Sequence, residues 1–151
     1  MKEDHHHPAS DYQAIANLKA AYINAADGGW TGEPPHDGEG IAQLFVEGGC
    51  WEAGDMGTAQ GHEEIRSFFA NATEAFPMVF HHASSPHIEV EGDEARGQWH
   101  VMVPMIEGTQ SKLLIGIYQD DFVRTETGWR FKRLSFSRSA TIDLPKGWQV
   151  R

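Results

Sequence analysis

Cysteine is nearly missing from this chain of 151 residues: Cys50 stands alone, so no internal disulfide and no CxxC metal motif can form. Basic residues are scarce as well, with 12 Lys and Arg against 22 Asp and Glu, for a net charge of -10. That balance repels phosphate backbones and anionic lipid, and no Lys/Arg cluster overrides it, so neither nucleic-acid nor membrane partners are expected. No apolar run approaches the roughly 18 residues of a membrane span. No signal peptide opens the chain, and a cytoplasmic location is expected. Outside the N-terminal tail the sequence holds no HExxH, no His-x-His, no GxSxG and no glycine-rich phosphate loop. A metal, a nucleophilic serine and a bound cofactor are therefore not predicted.

What is present is ordinary globular composition, 40% hydrophobic and 23% charged. The length suits one domain with a real core. MKEDHHHPAS, residues 1–10, has the polar composition of a tail, and its three histidines are left out of the site. The single domain is expected over 11–151.

Ser10 and Gln13 make a capping box, and a helix is predicted from there to Asp27. One apolar row runs Ile15, Leu18, Tyr22, Ala25; a second runs Ala16, Ala20, Ile23 and lands on Asp27. Gly28-Gly29 follow as a stop signal. A carboxylate at this end faces the negative pole of the helix dipole, which disfavours it by about 0.3–1 kcal/mol. Residues 28–40, GGWTGEPPHDGEG, form a loop. A short helix is expected next, with Ile41, Leu44 and Phe45 as its stripe and Gly48-Gly49 as its end, and then a strand at CWEAGD. GHEEIRSFF suits another helix, with Glu63 and Glu64 in the first turn. After Pro77 the pattern changes to strands near 79–91, 95–106, 112–124 and 129–140, with EGDE, EGTQ and TETG as hairpin signals. Helices first and a meandering sheet afterwards predict an α+β fold, a curved, mainly antiparallel sheet packed on the helices.

Strand alternation sets His81 and Ala83 on one face and His82 on the other, so the adjacent histidines do not converge on a metal. In WHVMVP, Trp99, Val101 and Val103 share one face, His100 and Met102 the other. His82 and His87 read as rim histidines. What remains is general acid–base chemistry: a histidine titrates near neutrality, and a carboxylate on one ring nitrogen fixes its tautomer and raises its basicity. Asp27 and His81 are the candidates, although the spacing alone does not bring them together.

The order of elements, with GHEEIRSFF (61–69), SSPHIEVEGDEARGQW (84–99) and TETGWRF (125–131), resembles the SnoaL-like branch of the nuclear transport factor 2-like superfamily over about residues 11–140. The resemblance implies a cone: a strongly bent sheet wrapped around a long N-terminal helix and two shorter ones, with a pocket at the open end. Small dehydratases and dehydrochlorinases of this superfamily use an Asp–His dyad, and by position Asp27 and His81 match it. Tyr22 resembles a pocket tyrosine of the bile-acid dehydratase type, and His100 the second histidine of the scytalone dehydratase type. The long 28–40 loop, and Ser85 where many relatives place Asn, depart from the pattern.

The expected function is a cofactor-independent lyase, of dehydratase or dehydrohalogenase type, on a small apolar cyclic molecule. His81 is the expected base, Asp27 its orienting partner, and Tyr22 or His100 the assistant to the leaving group. Phe45, Trp51, Phe69, Met102 and Phe136 are the expected pocket walls. An isomerase would use the same parts. A non-catalytic ligand- or partner-binding domain is the alternative of another class, and a hydrolase using Asp27, with Arg138 and Asp120 supplying charge, is a third. FKRLSFSRS alternates enough to offer a subunit face, so a homodimer or homotrimer is expected.

Overall fold

The structure, a computed structural model, describes residues 8–30 and 35–149. Helix α1 (Pro8–Ala26) opens on a proline, whose missing N–H costs nothing in a first turn. Pro8–Ser10, expected in the tail, thus belong to the helix, and Ser10 is not its start; the HHH run lies outside the described residues. The buried face of α1 carries Asp11, Ile15, Leu18, Lys19, Tyr22 and Ala26. Ala20 is exposed and Ala16 and Ile23 are half-buried, so the expected second row is a flank of the helix rather than its core face. At the start of α1, Arg124 grips the Asp11 carboxylate through two bonds of 2.8 and 3.0 Å, and the Trp129 indole donates a third at 3.2 Å.

Helix α2 (Gly38–Gln43) is short and capped by Asp37, whose carboxylate accepts the Gly40 N–H at 3.0 Å. Phe45, expected on this helix, instead opens β1 (Phe45–Glu52), and Gly48-Gly49 lie inside that strand. The reason is tertiary: the Phe131 N–H captures the Leu44 carbonyl at 2.9 Å, and Phe45 then pairs with Phe131 in a parallel ladder. A single 3-10 turn (Gly54–Met56) leads to β2 (Thr58–Gln60) and helix α3 (Gly61–Ala72). His62, in GHEEI, sits 2.8 Å from the Phe45 carbonyl and ties α3 to β1.

The rest is sheet: β3 (Met78–Val79), β4 (His82–Glu91), β5 (Glu94–Glu107), β6 (Gln110–Thr125) and β7 (Gly128–Asp143). Its order is β2-β1-β7-β6-β5, with β4 and β3 pairing successive stretches of β5. The β1–β7 pair is parallel and the other pairs antiparallel. Register breaks at Ser84/His87, Ile115/Gly116 and Asp121/Phe122 bend the long strands, as bulges do. At Gly116 a Cβ would lie 2.5 Å from the Phe136 ring, so only glycine lets that ring cross the strand. The result is an α+β cone, with three α-helices among the described residues and a strongly curled mixed sheet.

Alternation decides which side chains face inward. Trp99, Val101, Val103 and Met105 of β5 are buried, as are Leu114, Tyr118 and Phe122 of β6. FKRLSFSRS does not offer the expected outer face, because Phe131, Leu134 and Phe136 are buried in the core. The convex side instead carries Met102, 45% exposed, and Ile142, 47% exposed. Between them lie the half-buried Leu113 and Ile115, which pair with Ile142 and Met102 respectively. No helix among the described residues is long and apolar enough to cross a membrane.

Candidate functional site

The site is assembled where α1 ends. Helical hydrogen bonding continues one residue past the helix, the Asp27 N–H donating to the Ile23 carbonyl at 2.9 Å. Gly28 and Val79 then exchange two backbone hydrogen bonds, both of 3.1 Å. Gly29 passes so close to Pro77 that a Cβ would lie 1.8 Å from its carbonyl oxygen, and its φ is +83°. A side chain there has neither space nor an easy backbone conformation. The Gly-Gly pair is thus the means by which the helix end docks on the strand that leads to His81.

Docking puts Asp27 against His81. One carboxylate oxygen, Asp27 Oδ1, accepts the His81 backbone N–H at 2.9 Å and the ring Nδ1–H at 2.6 Å. These donors offset the unfavourable helix pole, so the position of Asp27 at a helix C-terminus is explained by what it holds. Both side chains are 12% exposed. With Nδ1 engaged by the carboxylate, the proton is assigned to Nδ1, and Nε2 carries the lone pair that can act as a base.

Two tyrosines flank this imidazole, with ring centroids 6.3 Å (Tyr22) and 6.4 Å (Tyr118) from it. The Trp51 indole N–H donates to the Tyr22 hydroxyl at 2.9 Å, and the Tyr118 hydroxyl lies within hydrogen-bonding reach of the same oxygen. Burial raises the pKa of both phenols, so they stay protonated as hydrogen-bond donors. Behind Tyr118, the Lys19 ammonium lies 3.1 Å from the ring centroid and is bonded to Asp120 Oδ2 at 2.9 Å.

These groups surround a narrow cavity with room for about 70 Å³ of water centres. His81, Tyr22 and Tyr118 share its wall with Trp51, Phe68, Phe69, Phe76, Met105 and Phe136. His36 also lines it, contributed by the loop before α2. Its φ is +66°, and neither ring nitrogen has a hydrogen-bond partner among the described residues although both are buried. Burial pushes its pKa down to about 4, helped by the neighbouring His81, so the ring is neutral at pH 7. Among the described residues, no three His, Cys, Asp or Glu side chains converge as metal ligands.

Of the expected site residues, the structure brings Asp27, His81, Tyr22, Trp51, Phe69 and Phe136 to this end of the cone. Phe45 is not a wall; it lies in the core 5.1 Å from Phe131, ring to ring. His100 and Met102 are corrected too: both are exposed on the convex face, because period-2 alternation points Trp99, Val101 and Val103 inward. His82 and His87 are exposed. Asp120 is sealed against Lys19 and the Ser135 N–H, and Arg138 pairs with Asp55 at the surface, so neither supplies charge to the cavity. Tyr118 and His36 were missed. Alternation along LLIGIYQDDF was a usable signal for Tyr118, whereas nothing in GGWTGEPPHDGEG marks His36.

The sequence profile of the SnoaL-like domain matches residues 8–135. Among curated proteins, none matches the chain at a significant level. Solved structures similar to it include the LinA-type3 hexachlorocyclohexane dehydrochlorinase of Novosphingobium barchaimii LL02, at 20% identity over 95% of this chain and 96% of that one, with a TM-score of 0.81. A provisionally assigned scytalone dehydratase of Novosphingobium aromaticivorans shares 23% identity over 95% and 91%, TM-score 0.76. An NTF2-like protein with a cystatin-like fold from the same species shares 25% over 87% and 83%, TM-score 0.68.

Proposed function

The chain belongs to the SnoaL-like domain family, and from that premise we propose that it is a cofactor-independent acid–base lyase. Its substrate is a small, largely apolar cyclic molecule that loses water or a hydrogen halide. The observation that carries this reading is the 2.6 Å contact of Asp27 Oδ1 with His81 Nδ1 beside a narrow, aromatic-walled cavity. Apolar walls strengthen every electrostatic interaction inside them, and such positioned proton transfer contributes about 10²–10⁴-fold.

In this reading His81 Nε2 takes a proton from carbon. The C–H electron pair becomes the new double bond as the hydroxyl or halide leaves the adjacent carbon. Asp27 holds the ring and stabilises the imidazolium. Tyr22, which accepts from Trp51 and from Tyr118, donates its own proton in a hydrogen bond to the leaving group or to an activating carbonyl. In a dehydration the imidazolium returns its proton to the leaving hydroxyl, so the products are an alkene and water. In a dehydrohalogenation the halide leaves as the anion and the proton passes to solvent. Similarity of the fold to a dehydrochlorinase supports the choice of elimination chemistry. Assembly as a homodimer or homotrimer belongs to the same reading, supported by the exposed convex apolar patch around Met102 and Ile142.

The test is a panel of cyclic β-hydroxy ketones and vicinally chlorinated cyclohexanes, read by alkene absorbance and chloride release. Asp27→Asn and His81→Gln should each lower kcat/KM by about 10²–10⁴-fold with the fold intact. Turnover by the wild type that both variants retain would overturn the dyad. No turnover of any panel member would favour a binding domain on this fold.

A further inference from the structure

The dyad is satisfied by the protein itself; His36 is not. Its backbone is held from both sides. On one side the Asp37 N–H donates to the Ala25 carbonyl at 2.8 Å, on the other the Thr73 hydroxyl donates to the Pro35 carbonyl at 3.2 Å. Between these anchors His36 sits at φ +66°, a conformation that costs a residue other than glycine. The strain delivers the imidazole into the cavity, 5.8 Å from the Phe69 ring and 6.4 Å from the Phe76 ring. The Phe76 backbone is nearby, but no contact there has hydrogen-bond geometry. Two ring nitrogens are thereby removed from water without a partner among the described residues, at a cost that a phenyl ring in the same slot would not incur. A buried unpaired polar group on a cavity wall calls for a partner inside the cavity.

We infer that His36 is a ligand-binding residue, a second polar point in the pocket that hydrogen-bonds a neutral oxygen, carbonyl or hydroxyl, of a compact alicyclic ligand. A neutral imidazole offers one N–H donor and one lone pair, which match a carbonyl and a hydroxyl respectively. An ionised ligand fits poorly: among the described residues the cavity wall offers it no Lys or Arg, and its hydration would be lost with little compensation. The narrowness of the cavity between its aromatic walls suits a compact ligand. His36 then fixes the oxygen while His81 faces the same cavity as the base, so the ligand is registered by its oxygen rather than by shape alone. The inference rests on the pocket being a small-molecule site, as in the proposed function.

The probes are cyclohexanone and methylenecyclohexane, which have the same shape but differ in C=O against C=CH2. Their dissociation constants are measured by NMR titration for the wild type and for His36→Phe, which keeps a ring in the slot. The preference for the ketone should fall by about five- to tenfold in His36→Phe. In the wild type, labelled with ¹⁵N-histidine, cyclohexanone should shift a His36 ring nitrogen and methylenecyclohexane should not. Equal preference in both proteins overturns the inference, as does ketone saturation without a His36 shift, or no saturable binding of either probe. Binding is independent of turnover, so the two readings fail separately. A His36-dependent ketone preference in a protein whose eliminations ignore the dyad would leave the subsite standing alone, and dyad-dependent turnover with a silent His36 would do the reverse.

Discussion

Lys19 on helix α1 and Asp27 just past its end, two turns apart, each meet a partner distant in the chain, and the two pairs have opposite fates. At Lys19 the ammonium meets Asp120 at 2.9 Å, and the two side chains are 2% and 0% exposed. Tyr118 covers the ammonium, the Ser135 N–H takes the other Asp120 oxygen at 3.2 Å, and the cavity wall includes neither charge. At Asp27 the carboxylate meets a ring whose second nitrogen is left unbonded by its partner and which lines the cavity. Burial and pairing are common to both, so neither property marks a site. What distinguishes the Asp27 pair is a ring nitrogen left toward a space that a molecule can occupy. The Lys19 pair, closed on all sides, is architecture.

Cutting each pair sharpens the contrast. Lys19→Met leaves the Asp120 carboxylate buried and uncompensated, and should cost about 3–5 kcal/mol in urea unfolding. Replacing both partners, Lys19→Met with Asp120→Leu, should recover most of that loss, as apolar replacement of a buried ion pair does. His81→Gln at the open end should cost only about 1–2 kcal/mol, since the cavity admits solvent to the severed partner. If the two cuts cost the same, the distinction between closed and open pairs fails.

The pH dependence of His36 gives a smaller effect. Its folded pKa lies near 4, below the unfolded value of 6.5, because burial disfavours the imidazolium. Above pH 6.5 neither state binds the proton and His36 contributes nothing to the slope. As pH falls from 6.5 towards 4 the unfolded chain protonates first, so wild-type stability should drop relative to His36→Phe and then level off. His81 and Asp27 are the charged groups that act on it across the cavity, and the subtraction of the two proteins at each pH removes their own titrations. A flat difference between pH 4 and 6.5 would contradict a buried neutral ring. The smallest change is on the convex side, where Met102→Glu should alter monomer stability by no more than about 0.5 kcal/mol. Sedimentation should nonetheless show a lower mass if that face joins subunits.

Much of the fold was legible because local patterns and burial agreed. Turn signals at 92–93, 108–109 and 126–127 sit between strands close to their expected spans, and GHEEIRSFF is the expected helix with Ile65 and Phe69 buried. Phe45 was misread because a short apolar stripe suits helix and strand alike, and the parallel partner that chose the strand lies more than eighty residues away. His100 is more instructive: its own strand pattern pointed it outward, and only likeness to other proteins drew it into the site. Lys19 went unread: it shares the core face with Ile15 and Tyr22, and its charge is tolerated there because Asp120 meets it.

By itself the sequence determined the class of fold, the hairpins, and the presence of a carboxylate and a histidine at the ends of two separate elements. Periodicity and turn chemistry are local, and they need no partner to be read. Only the tertiary structure decided that Gly28 pairs with Val79, that Asp27 reaches His81, and that Tyr118 and His36 face the same cavity. Those outcomes depend on where the curled sheet carries residues distant in the chain, and on which polar groups the enclosed space leaves without a partner.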